Sequence, residues 1–139
     1  VPVISDAEQS AAIGDDEFLI RFIPRAHYKS ENPEGFRVEL ANLNSTQFQP
    51  TDKKQPSVYL ESKCSVVELE GACAKWRDQG VARIRARALR DLGLEVRLSP
   101  EHCRIQSIQH AHTSILGVTK DNRQAVIALF DRCIIRPPP

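Results

Sequence analysis

The stretch RIQSIQHAHTSILGV, Arg104 to Val118, is the longest apolar-rich run with β-type alternation in this 139-residue chain, and it holds two of the four histidines. Ile105, Ser107, Gln109, Ala111 and Thr113 alternate with Gln106, Ile108, His110, His112 and Ser114, so an extended segment places both histidines on one face. Same-face Cβ atoms two residues apart in a strand lie roughly 7 Å from each other. Two imidazoles at that distance suit one shared metal ion or one anionic ligand. They equally suit a surface strand carrying two hydrogen-bonded histidines. A zinc site would recruit His102 and Cys103 beside His110 and His112, which are residue types zinc favours at a spacing that matches no recognised zinc motif.

Working outward, Phe18 to Ile23 reads as a strand whose two faces are both apolar except at Arg21, as in the interior of a sheet, and Pro24 ends it. Gly35 to Leu40 alternates well enough for a second strand, a weaker one falls at Ser45 to Gln49, and Ser57 to Leu60 is a strand entered through Pro56. Ser65-Val66-Val67-Glu68 matches the capping box, predicting a helix over Val66 to Asp78. After Gly80, the apolar residues Val81, Ile84, Ala88, Leu89 and Leu92 recur at helical spacing with Arg83, Arg87 and Arg90 opposite, predicting an amphipathic helix that Gly93 closes. Arg85 falls inside the apolar arc of that helix and must snorkel or pair with a carboxylate such as Glu61 or Glu68. Leu94 to Leu98 alternates as a half-buried strand, and Asp121 is placed to cap a last helix over Asn122 to Cys133.

These elements predict a single α+β domain over residues 1–136 and an extended proline tail at 137–139. The expected architecture is a mainly antiparallel sheet of about five strands with three helices, at 66–78, 81–92 and 122–133, packed on one face. Residues 1–14 are expected to be loosely held, and Ile134 to Arg136 to leave the domain.

Nineteen basic residues against eighteen acidic ones give a net charge of +1, so no bulk attraction to nucleic acid or to a membrane surface follows. The charge is unevenly spread. Residues 1–35 hold seven acidic against three basic side chains, and residues 73–92 hold six basic against two acidic, so the two regions should attract one another. Cys64, Cys73, Cys103 and Cys133 form no C-x-x-C pair and read as reduced thiols of a cytoplasmic protein. No apolar run approaches the roughly 20 residues that span a bilayer, and VPVISDAEQS lacks a signal pattern.

Functionally, His112-Thr113-Ser114 supplies one H-x-[ST] unit, whereas two-histidine phosphoester chemistry needs two, one for each proton transfer. Neither Cys103 nor Cys64 has a nearby group in the sequence to orient a catalytic histidine. No catalytic residue is assigned. The expectation is a small cytosolic interaction or accessory protein without its own catalysis and without a cofactor, acting as a homodimer or bound to a protein partner. The alternative is a small metal-dependent or histidine-dependent hydrolase centred on His110 and His112, with zinc as the metal. A second alternative is binding of nucleic acid or an acidic partner through Arg83, Arg87 and Arg90.

Three short segments carry a resemblance: Asp16 to Pro24, DEFLIRFIP; Pro56 to Glu61, PSVYLE; and Ala111 to Val118, AHTSILGV. Together they resemble a loose set of small uncharacterised bacterial proteins that share a D-E-x-L-x-R-x-[IV]-P opening, an L-S-V-x-x-E middle and a late S-H-x-x-I-x-G. This chain has Pro-Ser-Val for Leu-Ser-Val and Ala111 for the serine before the histidine. The resemblance implies a bacterial cytosolic protein encoded beside a larger effector. It directs attention to Arg21, Glu61 and His112, the last two as a pair.

Overall fold

The computed structural model describes residues 5–25, 28–29, 37–38, 56–119 and 121–138. Its elements in chain order are α1 (Asp6–Ala11), β1 (Phe18–Ile23), β2 (Tyr28–Lys29), β3 (Arg37–Val38), β4 (Ser57–Leu60), α2 (Val66–Ala72), β5 (Gly80–Arg85), α3 (Ala86–Asp91), β6 (Glu95–Leu98), β7 (His112–Leu116), α4 (Arg123–Arg132) and β8 (Ile134–Arg136). Three 3₁₀ helices interrupt them, at Ala74–Asp78, Pro100–His102 and Gln106–Ala111. Six strands form one sheet in the order β6-β7-β4-β1-β5-β8 with every described pairing antiparallel, and β2 and β3 pair separately. The predicted α+β class with an antiparallel sheet is therefore what the chain adopts.

Strands β1 and β4 lie where the alternation predicts. The β3 pair falls within the expected strand at 35–40, while the remainder of that strand and the weaker one at 45–49 lie outside the described residues.

The helix predicted at 81–92 is half strand. Gly80–Arg85 pairs with β1 through six consecutive residues, from Phe18 with Arg85 to Ile23 with Gly80, and only Ala86–Asp91 is helical. In a strand covered on both faces the apolar side chains no longer alternate with polar ones, and Val81, Ala82 and Ile84 are all buried. Their spacing imitates a helix by accident, and pairing along the length of β1 overrides the helical propensity of Ala and Arg. The end of α3 does follow the sequence. Gly93 at φ 81° donates to Arg90 O while Leu94 N–H reaches Leu89 O, which is a Schellman closure with Leu94 and Leu89 packed into one core. The first N–H groups of α3 also find partners, because Ala86 and Arg87 donate to the carbonyls of Glu17 and Asp15.

Elsewhere the differences are local. The capping box forms as predicted, yet α2 ends at Ala72, where extended Cys73 (φ −140°, ψ 98°) breaks it into a separate 3₁₀ turn. The expected strand at 104–118 is extended only over His112–Leu116, and Gln106–Ala111 is a 3₁₀ helix. Asn122, not Asp121, takes the cap position of α4, its side chain holding Thr119 N and Gly117 O. Ile134–Arg136 stays in the domain as edge strand β8, with Ile135 bulged between Arg136 opposite Val81 and Ile134 opposite Ala82. The amino-terminal helix is anchored, since Ser5 caps it and Ile13 is buried.

The helices divide between the two faces of the sheet, where a single covered face was expected. On one face α3 and α4 close over Leu19, Ile23, Val58, Leu60, Ala82, Ile84, Val96 and Ile115, with Phe130 and Leu89 fully buried. On the other, α2 and the 3₁₀ segments pack on Ile20, Phe22 and Val81, with Leu69, Ile108 and Ala111 buried there. Among the described residues the second face is only partly covered, and the candidate site lies there.

Candidate binding groove

Strand register places side chains in rows across the second face. Tyr59 stands opposite both Ile20 and His112, and one step along the strands Ser57 stands opposite Ser114, which stands opposite Arg97. Helices cover the first row. Over the second, the described residues outline two clefts, one reaching Ser57 and the other its cross-strand partner Ser114. One, of about 420 Å³, is lined by Glu95, Arg97, Ser99, Glu101, His102, Ser114 and Leu116. The other, about 240 Å³, lies between Phe22, Ser57, Tyr59, Lys75, Trp76 and Gln79, with Arg21 and Pro24 at its wall. Ser57 at the start of β4 and Ser114 in the middle of β7, where larger residues would fill the face, line the two clefts.

Beneath the polar end His112 is 5% exposed. Its Nδ1 lies 2.9 Å from Ser99 O and 2.9 Å from Ser99 Oγ, and that hydroxyl is 2.7 Å from Ser114 Oγ. A carbonyl oxygen only accepts, so Nδ1 carries the hydrogen. Ser99 Oγ then meets a protonated nitrogen, presents a lone pair to it and shares a further hydrogen bond with the Ser114 hydroxyl. Ser114, at the far end of this chain, lines the cleft. Burial pushes the His112 pKa below its ordinary 6.5, against the opposing pull of the Ser99 carbonyl, so the ring is neutral at pH 7.

The aromatic end is rigid. Trp76 lies flat on Phe22 with centroids 4.8 Å apart, and Tyr59 tilts against Trp76 at 5.3 Å and meets the His112 ring edge-on at 5.4 Å. Burial first, and then contact with Cys103, push the Tyr59 phenol well above its usual range, so it stays a neutral donor. At the rim Arg97 donates twice to the Glu95 carboxylate, at 3.2 and 2.9 Å, and Glu101 lies 3.6 Å from His102.

The residues singled out in the sequence end up apart. His110, at the end of a 3₁₀ helix, is exposed and bonds Lys63 O at 3.0 Å, while His112 is buried in β7. His102 lies at the rim, and Cys103 is buried with its thiol on Ile105 O. Among the described residues no three His, Cys, Asp or Glu side chains are disposed to hold a metal ion.

The three arginines do not share a helix face. Arg83 projects from β5 onto Glu61 at 2.7 Å, whereas on α3 Arg87 lies 3.9 Å from Asp91 and Arg90 2.7 Å from Asp15. The Asp15 contact realises the attraction between the acidic start and the basic middle. Arg85 is exposed at the end of β5, with its guanidinium 4.9 Å from the Phe18 ring. Glu61 therefore pairs with Arg83 and not with His112. Arg21 is buried on the closed face, donates to Ser57 O at 2.6 Å, and is lowered by burial to a pKa of about 10, still charged at neutral pH.

Sequence reasoning missed the groove itself, meaning Ser57, Ser99, Ser114, Glu95, Arg97 and Trp76. Alternation in LEVRL does place Glu95 and Arg97 on one face, but which strand lies beside them is not written locally. Comparison with known proteins gives no match, whether to a family model, a curated protein or a solved structure. No helix among the described residues is long and apolar enough to cross a membrane.

Proposed function

We propose that this chain is a small accessory protein that works by binding, carries no catalysis of its own, and binds through the groove. The observation that carries this reading is the proton placement at its floor. A serine nucleophile needs an unprotonated imidazole nitrogen facing its hydroxyl. Here Nδ1–H is committed to the Ser99 carbonyl, so the ring nitrogen that faces the serine hydroxyls is protonated and activates no oxygen. The setting is the one expected from the sequence, a bacterial cytoplasm with a protein partner or a second copy. Ile135, on the bulge of edge strand β8, is one of two large apolar side chains exposed among the described residues, with Val67, and it lies at the sheet edge where such a contact would form.

The competing reading is a histidine-dependent hydrolase at His112, favoured by the cleft above Ser114. Chromogenic carboxylic esters and phosphodiesters separate the two. The binding protein gives no turnover above buffer, whereas turnover that disappears in His112→Ala while the fold persists would transfer the assignment to the hydrolase. Size-exclusion chromatography of the wild type and of Ile135→Glu tests the second copy, which requires a dimer that the variant loses.

A further inference from the structure

We draw no further inference here: the strongest candidate, the cleft lined by Glu95, Arg97, Ser99, His102 and Ser114 at the β6–β7 edge of the sheet, belongs to the site already described, and nothing in the structure shows what covers it.

Discussion

The two faces of the central sheet are made by the same six strands and differ in almost everything else. On the α3 and α4 side, alternate residues of the four inner strands are apolar and the helices close over them, leaving Phe130, Leu89 and Leu19 without solvent contact. Arg21 and Thr113 are the polar exceptions there. On the other side the cover is built from short pieces, α2 and three 3₁₀ turns, and its core mixes Ile20, Leu69 and Ile108 with Cys64, Cys103 and half-buried Tyr59 and Trp76. Where those pieces stop, Ser57 and Ser114 stand in place of apolar residues and the described residues outline the two clefts. One face is closed by helices, and among the described residues the other keeps part of its sheet uncovered.

The largest effect that sharpens this contrast is expected on the closed face. Phe130→Ala removes a fully buried ring and should cost about 3–5 kcal/mol in urea unfolding. Trp76→Ala on the other face removes a half-buried ring and should cost about 2 kcal/mol; equal losses would break the distinction between the faces. Ser65→Ala removes the hydroxyl that holds Glu68 N–H in the capping box, and about 1 kcal/mol should follow in the same assay. Glu61 and Arg83 form a partly exposed pair beside the Phe18 ring, so a double-mutant cycle with alanines should return a coupling of about 0.5–1 kcal/mol.

The gentlest effect is a pH slope at the groove floor. Burial lowers the His112 pKa, so the unfolded chain binds the proton more readily than the folded one. Stability is therefore full above the ordinary 6.5 and declines as pH falls from there toward the lowered value. Subtracting the stability profile of His112→Phe from that of the wild type should isolate the slope; a flat difference would mean that the ring is not held neutral.

How much of this was legible in the chain depends on the range of the signal. Where one segment decides its own conformation the residues can be read directly, as with the alternation of Phe18–Ile23, Ser65 and Glu68 at the start of α2, and Gly93 after α3. Residues 80–85 could not be read that way, because their partner β1 lies about sixty positions earlier and only pairing with it turns a helical spacing into a strand. The histidines show the same limit. His110 and His112 sit two apart in sequence, yet the 3₁₀ turn ending at Ala111 sends one to the surface and the other into the sheet.

The sequence by itself determined an antiparallel α+β domain, its strongest strands and caps, and the attraction between its acidic start and basic middle, since each of these follows from local periodicity, local capping or charge count. Tertiary structure alone decided that α2 covers the opposite face, that Glu61 meets Arg83, and that Ser57, Ser114 and Arg97 stand in one row across three strands. Those facts depend on which strands lie side by side and in what register, and register is fixed by burying the whole alternating pattern at once.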